Sequence, residues 1–285
     1  MTAPTAPPAP VSAAPRATSG AGQAVRDSVI IAKCNLRRLT RAPEVVIFNM
    51  IQPVMFVVMF AYLFGGSVIV GESTDPGAYR EFLIVGIFAQ TVIFATVTTS
   101  GALAHDMSKG LIDRFRSLPM ARSAVLTGRT FADLMLMTFT VIVLAIVGTL
   151  VGWRFHEGVL NALAAFGLLI LLGYAFTWLG ALIGMSVRTP EAASSAPMIW
   201  ILPVTFVSNA FVDPSNMTPW LRHVADWNPL SATVQACRDL FGNPGVRTSG
   251  GWPMQHSVLA SLLYSIVIIV ICRTLAVRNY RNSAS

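Results

Sequence analysis

FLIVGIFAQTVIFATVTTSGALA, residues 82–104, runs without a single Asp, Glu, Lys or Arg. A bilayer's hydrocarbon core is about 30 Å thick and takes roughly 20 apolar residues of helix to cross. Charged residues at its centre cost about 2.5 to 3.5 kcal/mol each on the insertion scale. Five further charge-free stretches are long enough to cross: Val45 to Gly71, Leu134 to Trp153, Gly158 to Val187, Ala192 to Val212 and Thr248 to Cys272. The expected fold class is therefore an all-α membrane protein with six transmembrane helices.

Composition points the same way. Of the 285 residues, 54% are hydrophobic and 12% charged, and the mean hydropathy is +0.63; soluble domains of this length are more polar. The net charge of +7 is spread beside the spans rather than gathered in one patch, so lipid and topology account for it and no nucleic-acid partner is expected.

Those cations orient the chain. With the N-terminus inside, the inner set is Arg16, Arg26, Lys33, Arg37, Arg38, Arg41, Lys109, Arg114, Arg116, Arg122, Arg129, Arg188, Arg273, Arg278 and Arg281. Arg80, Arg154, Arg222, Arg238 and Arg247 remain outside, a ratio of fifteen to five that follows the positive-inside rule. Both termini are expected in the cytoplasm and the protein in the cell membrane.

Residues 1–23 are almost wholly Ala, Pro, Ser, Thr and Gly, too polar to build a core, and read as a disordered cytoplasmic tail. No basic region leads into a short apolar one, so no signal peptide is expected. Residues 24–285 form one transmembrane domain. Its first segment, Ala24 to Arg41, puts Val25, Val29, Ala32, Leu36 and Leu39 on one helical face and Arg26, Lys33, Arg37 and Arg41 on another. This is an amphipathic helix on the inner leaflet, ended by Pro43; it serves as a topology anchor or, with a partner, as a moving elbow. Cys34, Cys237 and Cys272 have neither CxxC nor Cys/His metal spacing and read as apolar fillers.

Two connections carry more information than the spans. In the inner loop AHDMSKGLIDRFRSLPMARS, residues 104–123, Leu111, Phe115 and Leu118 recur at i, i+4 and i+7, with Arg114 and Arg116 beside them. Pro119 ends that short ridge. An interfacial loop and a docking ridge for a groove on another protein fit it equally. The outer connection, Asp213 to Trp252, has two helix starts, Thr218-Pro219 and Asn228-Pro229, each a cap followed by a first-turn proline. Gly242 closes the second helix, whose apolar stripe is Leu230, Val234, Cys237 and Phe241. With Trp220, Trp227 and Trp252 at headgroup depth, these read as two amphipathic helices that re-enter the outer leaflet.

The chain holds no phosphate-binding G-x-x-x-x-G-K-[ST], no H-E-x-x-H and no G-x-S-x-G. No enzyme activity, cofactor or metal site of its own is expected. Ion-coupled transporters need a buried group that titrates; Asp133 comes nearest, but it lies at the edge of the third stretch, one turn from Arg129. Uncharged polar residues do lie within the stretches. Asn49, Gln52, Gln90 and Thr98, with Met55 as an adaptable apolar contact, are candidates for lining a pathway, although helix packing explains any single one of them as well.

The inner DMSKGLIDRFRSLPMARSAVLTGR and the outer FVSNAFVDPSNMTPWLRHVADWNPLSATVQACRDLFG, set among six spans behind a basic elbow, resemble type-2 ATP-binding-cassette (ABC) exporter permeases, most of all the daunorubicin/doxorubicin-resistance branch. The resemblance runs from about Val25 to the C-terminus. The branch's Asn-Pro-Leu and later Arg are matched by Asn228, Pro229, Leu230 and Arg238; where it often has Pro-Gly, this chain has Val85-Gly86. The resemblance implies a coupling helix in which Leu111, Arg114, Phe115, Arg116 and Leu118 face a separate ATPase subunit present in two copies. It makes Asn209, Pro219, Trp220, Asn228, Pro229, Leu230 and Arg238 an outer re-entrant motif. It further implies a homodimer, or a heterodimer with a second permease, that moves hydrophobic drugs or lipid-like molecules outward. The alternatives are a permease for a polysaccharide or a membrane lipid and, from another class, a channel or secondary transporter.

Overall fold

The computed structural model describes residue 30 and residues 43–63, 76–110, 122–187, 189–212, 214, 217–245 and 251–282. Among them there is no strand; the elements are α-helices. The tail 1–23, nearly all of the amphipathic segment 24–41 and the ridge 111–118 lie outside the described residues.

Helix α1, Pro43–Leu63, begins on a proline whose missing N–H a first helical turn does not need. Helices α2 (Pro76–Ser108), α3 (Arg122–Val151) and α4 (Gly158–Ser186) follow. Short α5 (Pro190–Ser195) and α6 (Met198–Phe206) lead to α7 (Pro219–Asp226) and α8 (Pro229–Phe241). The four-residue α9 (Trp252–Gln255) precedes the long α10 (Ser257–Asn282). Four of these, α2, α3, α4 and α10, are long and apolar enough to cross a bilayer, and α1 has a shorter apolar run, Ile47–Tyr62.

The fifth charge-free stretch departs from the expectation of an unbroken span. The Ala196-Pro197 junction divides it, because proline offers no N–H to the carbonyl four residues back, whereas Pro203 sits inside α6. Helical φ/ψ nevertheless persists through Ala196 and Pro197, so α5 and α6 trace one interrupted path of about 25 Å at 1.5 Å per residue. The sixth stretch also shifts. Gly251 and His256 bound the short α9, with Pro253 in its first turn, and the long helix starts at Ser257 and continues past Arg273 and Arg278.

Helix α2 is the axis of the bundle, its side chains mostly buried, with α4 as its principal neighbour. Small residues bring the two together: a Cβ on Gly180 would lie 2.5 Å from the Thr96 carbonyl oxygen, and one on Gly184 2.6 Å from that of Ser100. This is the small-xxx-small spacing that lets helix backbones approach in lipid. Thr96 Oγ1, between them, donates across the interface to the Phe176 carbonyl at 3.1 Å. Helices α3 and α10 lie toward the rim. Their outward rows, Phe139, Ile142 and Ile146 on α3 and Leu263, Ile266, Val267 and Val270 on α10, are exposed and suit hydrocarbon.

One end of the bundle is closed by aromatics. Trp153, 1% exposed, packs edge-on against Phe88, Phe166 and Phe241. Its Nε1 donates to Asn243 Oδ1 at 2.9 Å, and Asn243 Nδ2 donates to the Arg154 carbonyl at 2.7 Å. The connection from α3 to α4 is thereby joined to the end of α8.

Candidate functional site

At the opposite half of the bundle, where α2 ends and α3 begins, α1, α2 and α3 line a half-open cavity of about 510 Å³. Each helix contributes residues at helical spacing: Asn49, Gln52, Pro53 and Phe56 from α1, Gln90, Phe94 and Thr98 from α2, and Arg129, Asp133, Leu136 and Thr140 from α3. Met198 of α6 touches it too. Of the five pathway candidates, Asn49, Gln52, Gln90 and Thr98 are brought together on this wall. Met55 is not: it is 61% exposed on another side of α1. Gln90 lines the cavity and makes no hydrogen bond to another of the described residues.

Arg129 and Asp133 stand closer to the site than their place in the sequence suggested. Helix α3 starts at Arg122, well before the charge-free stretch begins at Leu134, so both residues lie within the long apolar helix rather than at its end. The expected i, i+4 pair is present, with Arg129 Nε 3.3 Å from Asp133 Oδ1. A third member comes from α2: Arg129 Nη1 donates to Asp106 Oδ2 at 2.6 Å. Asp106 was not singled out in the sequence; an Asp in the last turn of one span and an Arg in the second turn of the next were the available signal.

The outer motif is built on α8. Asn228 caps it as expected, accepting from Leu230 N at 2.9 Å, and Gly242, with φ +70°, closes it. Thr218 starts α7 in extended backbone ahead of Pro219, but its side chain makes no capping bond. Asn228 Nδ2 also donates to the carbonyls of Val204 and Val207 at 2.7 and 2.8 Å, supplying donors where α6 ends and intrahelical ones run out. In α7, Pro219 is exposed, as are Trp220 at 70% and Trp227.

Helix α8 is not laid on lipid with one polar face outward. Leu230, Val234, Cys237 and Phe241 are buried, but so are Ser231, Thr233, Gln235 and Arg238. Partners explain this: Ser231 Oγ accepts from Asn209 N at 3.1 Å, Thr233 Oγ1 lies 2.7 Å from Ser261 Oγ of α10, and Gln235 Nε2 donates to Asp239 Oδ1 at 2.9 Å. Arg238, fully buried, donates to three carbonyls, those of Asn209 at 2.8 Å, Phe82 at 3.0 Å and Ala210 at 3.1 Å. Gly86 admits this arrangement, since a Cβ there would lie 2.1 Å from the Ala210 carbonyl oxygen. The Asn209 side chain is buried with neither amide atom hydrogen-bonded.

The coupling candidates Leu111, Arg114, Phe115, Arg116 and Leu118 lie outside the described residues. Their flanks do not: Gly110, with φ +64°, follows the end of α2, and α3 begins at Arg122.

The described residues thus form a bundle of apolar helices with a cavity of about 510 Å³ among α1, α2 and α3 and a buried polar helix, α8. The sequence profile of the ABC-2 type transporter matches residues 28–241, and the chain belongs to that family. It is 33% identical over 240 residues to the daunorubicin resistance ABC transporter permease protein of Streptomyces coeruleorubidus, covering 84% of this chain and 81% of that one. It is 27% identical over 232 residues to the doxorubicin resistance ABC transporter permease protein of Mycobacterium tuberculosis, covering 78% and 79%. The chain is thus a permease of the daunorubicin/doxorubicin-resistance branch.

Proposed function

We propose that the chain is the membrane subunit of an ATP-driven exporter that moves hydrophobic drugs or lipid-like molecules out of the cell. The observation that carries this reading is the cavity. Its volume of about 510 Å³ falls within the range of about 300 to 1,000 Å³ that holds a drug-sized molecule. Its wall combines Phe56, Phe94, Leu136 and Met137 with the amides of Asn49, Gln52 and Gln90. A polysaccharide would need a continuous groove, so the drug or lipid reading is preferred to the polymer one.

In this reading the chain crosses the membrane six times, with α1, α2, α3, α4, the interrupted α5–α6 path and α10 as the spans. Both termini are cytoplasmic, and α7 and α8 form a re-entrant outer cap. The exporter contains two permeases, alike or paralogous, and two copies of a separate ATPase. Leu111, Arg114, Phe115, Arg116 and Leu118 receive the ATPase's movement. Differential affinity of inward and outward states for the solute then sets direction.

The experiment is transport into inverted vesicles carrying the chain and its ATPase, with daunorubicin or doxorubicin as solute. Accumulation is expected with ATP and none without it. Because Asp133 is an ionisable group in the cavity wall, a proton gradient is the competing drive. Uptake driven by an imposed gradient without ATP would overturn the reading in favour of a secondary transporter.

A further inference from the structure

Buried glycines of α4 differ in what stands against them. A Cβ on Gly180 or Gly184 would meet backbone oxygens of α2, which cannot step aside. A Cβ on Gly173, two turns earlier, would instead fall on Sδ of Met137 and lie 2.6 Å from its Cε. The end of a flexible α3 side chain therefore occupies the recess that glycine leaves on α4. Val92 of α2 forms another side of that recess, 3.0 Å from the same ideal Cβ. Met137, 5% exposed, lines the cavity, whereas Gly173 and Val92 do not. Methionine is unbranched and turns about three bonds, so its thioether has two places to lie, the recess on α4 and the open space of the cavity. Rotating it changes the cavity wall while the backbones of α2 and α4 stay where Gly180 and Gly184 hold them.

We propose that Gly173 is a specificity-determining residue that sets the size of the guest the cavity accepts without touching it. The inference rests on the export reading and concerns the same cavity. With the Met137 thioether in the recess, the cavity has its full volume of about 510 Å³. Swung out, the same side chain takes up part of that volume and packs over a smaller guest, which restores the contacts a loose fit would forfeit. A larger guest holds Met137 in the recess. Alanine at 173 closes the recess and leaves the thioether only the cavity side, so the larger guest is the one excluded.

The test uses the full-length chain in lipid nanodiscs, with carbon-13 at the methionine ε-methyl groups. It is titrated with two neutral probes of one chemistry and different bulk, methoxyresorufin and benzyloxyresorufin, each measured against empty nanodiscs. The Met137 methyl signal is the one lost in Met137→Leu. Gly173→Ala should shift that signal, leave methoxyresorufin affinity within about twofold and weaken benzyloxyresorufin by about tenfold or more, the scale on which an apolar pocket discriminates by size. Adding Met137→Ala to Gly173→Ala should restore the larger probe. Because Val92 also approaches the new Cβ, Met137→Ala alone is the second variant should Gly173→Ala fail to fold. It should weaken methoxyresorufin, which loses its cover, and spare benzyloxyresorufin. An unmoved Met137 signal, equal loss of both probes, or no recovery in the double variant overturns the proposal. So does Met137→Ala acting on both probes alike, or a parent that binds neither. ATP-driven transport whose size selection ignores Gly173→Ala would sink this inference alone. The expected signal and binding changes without ATP-driven transport would overturn the export reading and leave the recess standing.

Discussion

Arg238 and Phe82, 156 residues apart in sequence, meet twice: the guanidinium carbon lies 3.6 Å from the centre of the Phe82 ring, and Nη2 donates to the Phe82 carbonyl at 3.0 Å. With the carbonyls of Asn209 and Ala210, this ties α8, the start of α2 and the turn after α6 to one side chain. A buried cation held by backbone dipoles and an aromatic face is tolerated because its desolvation is offset at several points at once.

Replacing Arg238 with Met leaves three buried carbonyls without that donor, a loss of about 3 kcal/mol or more at 1 to 3 kcal/mol per unsatisfied group. The expected outcome is aggregation at a lower temperature in detergent than the parent, measured by size-exclusion chromatography after heating. Lys should rescue only part of the loss, since its single ammonium cannot reproduce the planar fork.

Gly180 and Gly184 should not accept larger side chains. A Cβ at either would lie within 2.6 Å of a backbone oxygen of α2, so each Gly→Leu change forces α2 and α4 apart at about 1 to 3 kcal/mol or more. Gly167, on the same helix with nothing within 4 Å of its ideal Cβ, is the control: Gly167→Ala should fold as well as the parent or better, given alanine's helix propensity. Equal yields of monodisperse protein from all three variants would overturn the packing account.

Asn243→Ala removes the acceptor for Trp153 Nε1 and the donor to the Arg154 carbonyl. The buried Trp153 Nε1 loses its partner, at about 1 to 3 kcal/mol, while the half-buried Arg154 carbonyl loses one that water can replace. Protease sensitivity of the connection between α3 and α4 should rise. Asn243→Asp, which keeps the acceptor and loses the donor, should fall between the two.

Phe115→Asp tests the proposed coupling ridge. The variant should insert at the parent's level yet fail to copurify with the co-expressed ATPase. Normal assembly of the Phe115→Asp pair would show that the ridge does not carry the contact.

Much of the fold is legible along the chain because hydropathy, caps and breakers act locally. The fourth stretch, Gly158 to Val187, and helix α4, Gly158–Ser186, agree nearly to the residue, since Gly158 takes φ +86° at one end and extended backbone follows at the other. Asn228-Pro229 and Gly242 marked α8 for the same reason. Charge was a poorer guide to helix ends. Arg129 and Asp133 closed the third stretch on paper, but a helix does not stop where charge begins when a partner such as Asp106 lies within reach.

The sequence by itself determined the class of this protein, most of its long helical segments, its type-2 ABC resemblance and four of the residues now found around the cavity, Asn49, Gln52, Gln90 and Thr98, because each depends on composition or on neighbours within a turn or two. Only the tertiary structure decided that Gln90, Gln52 and Asn49 share one wall while Met55 leaves it, that Asp133 faces the cavity, and that the polar side of α8 is buried rather than wet. Those facts depend on how helices rotate and approach, which is set by contacts such as Gly180 with Thr96 and Arg238 with Phe82 between segments distant in the chain.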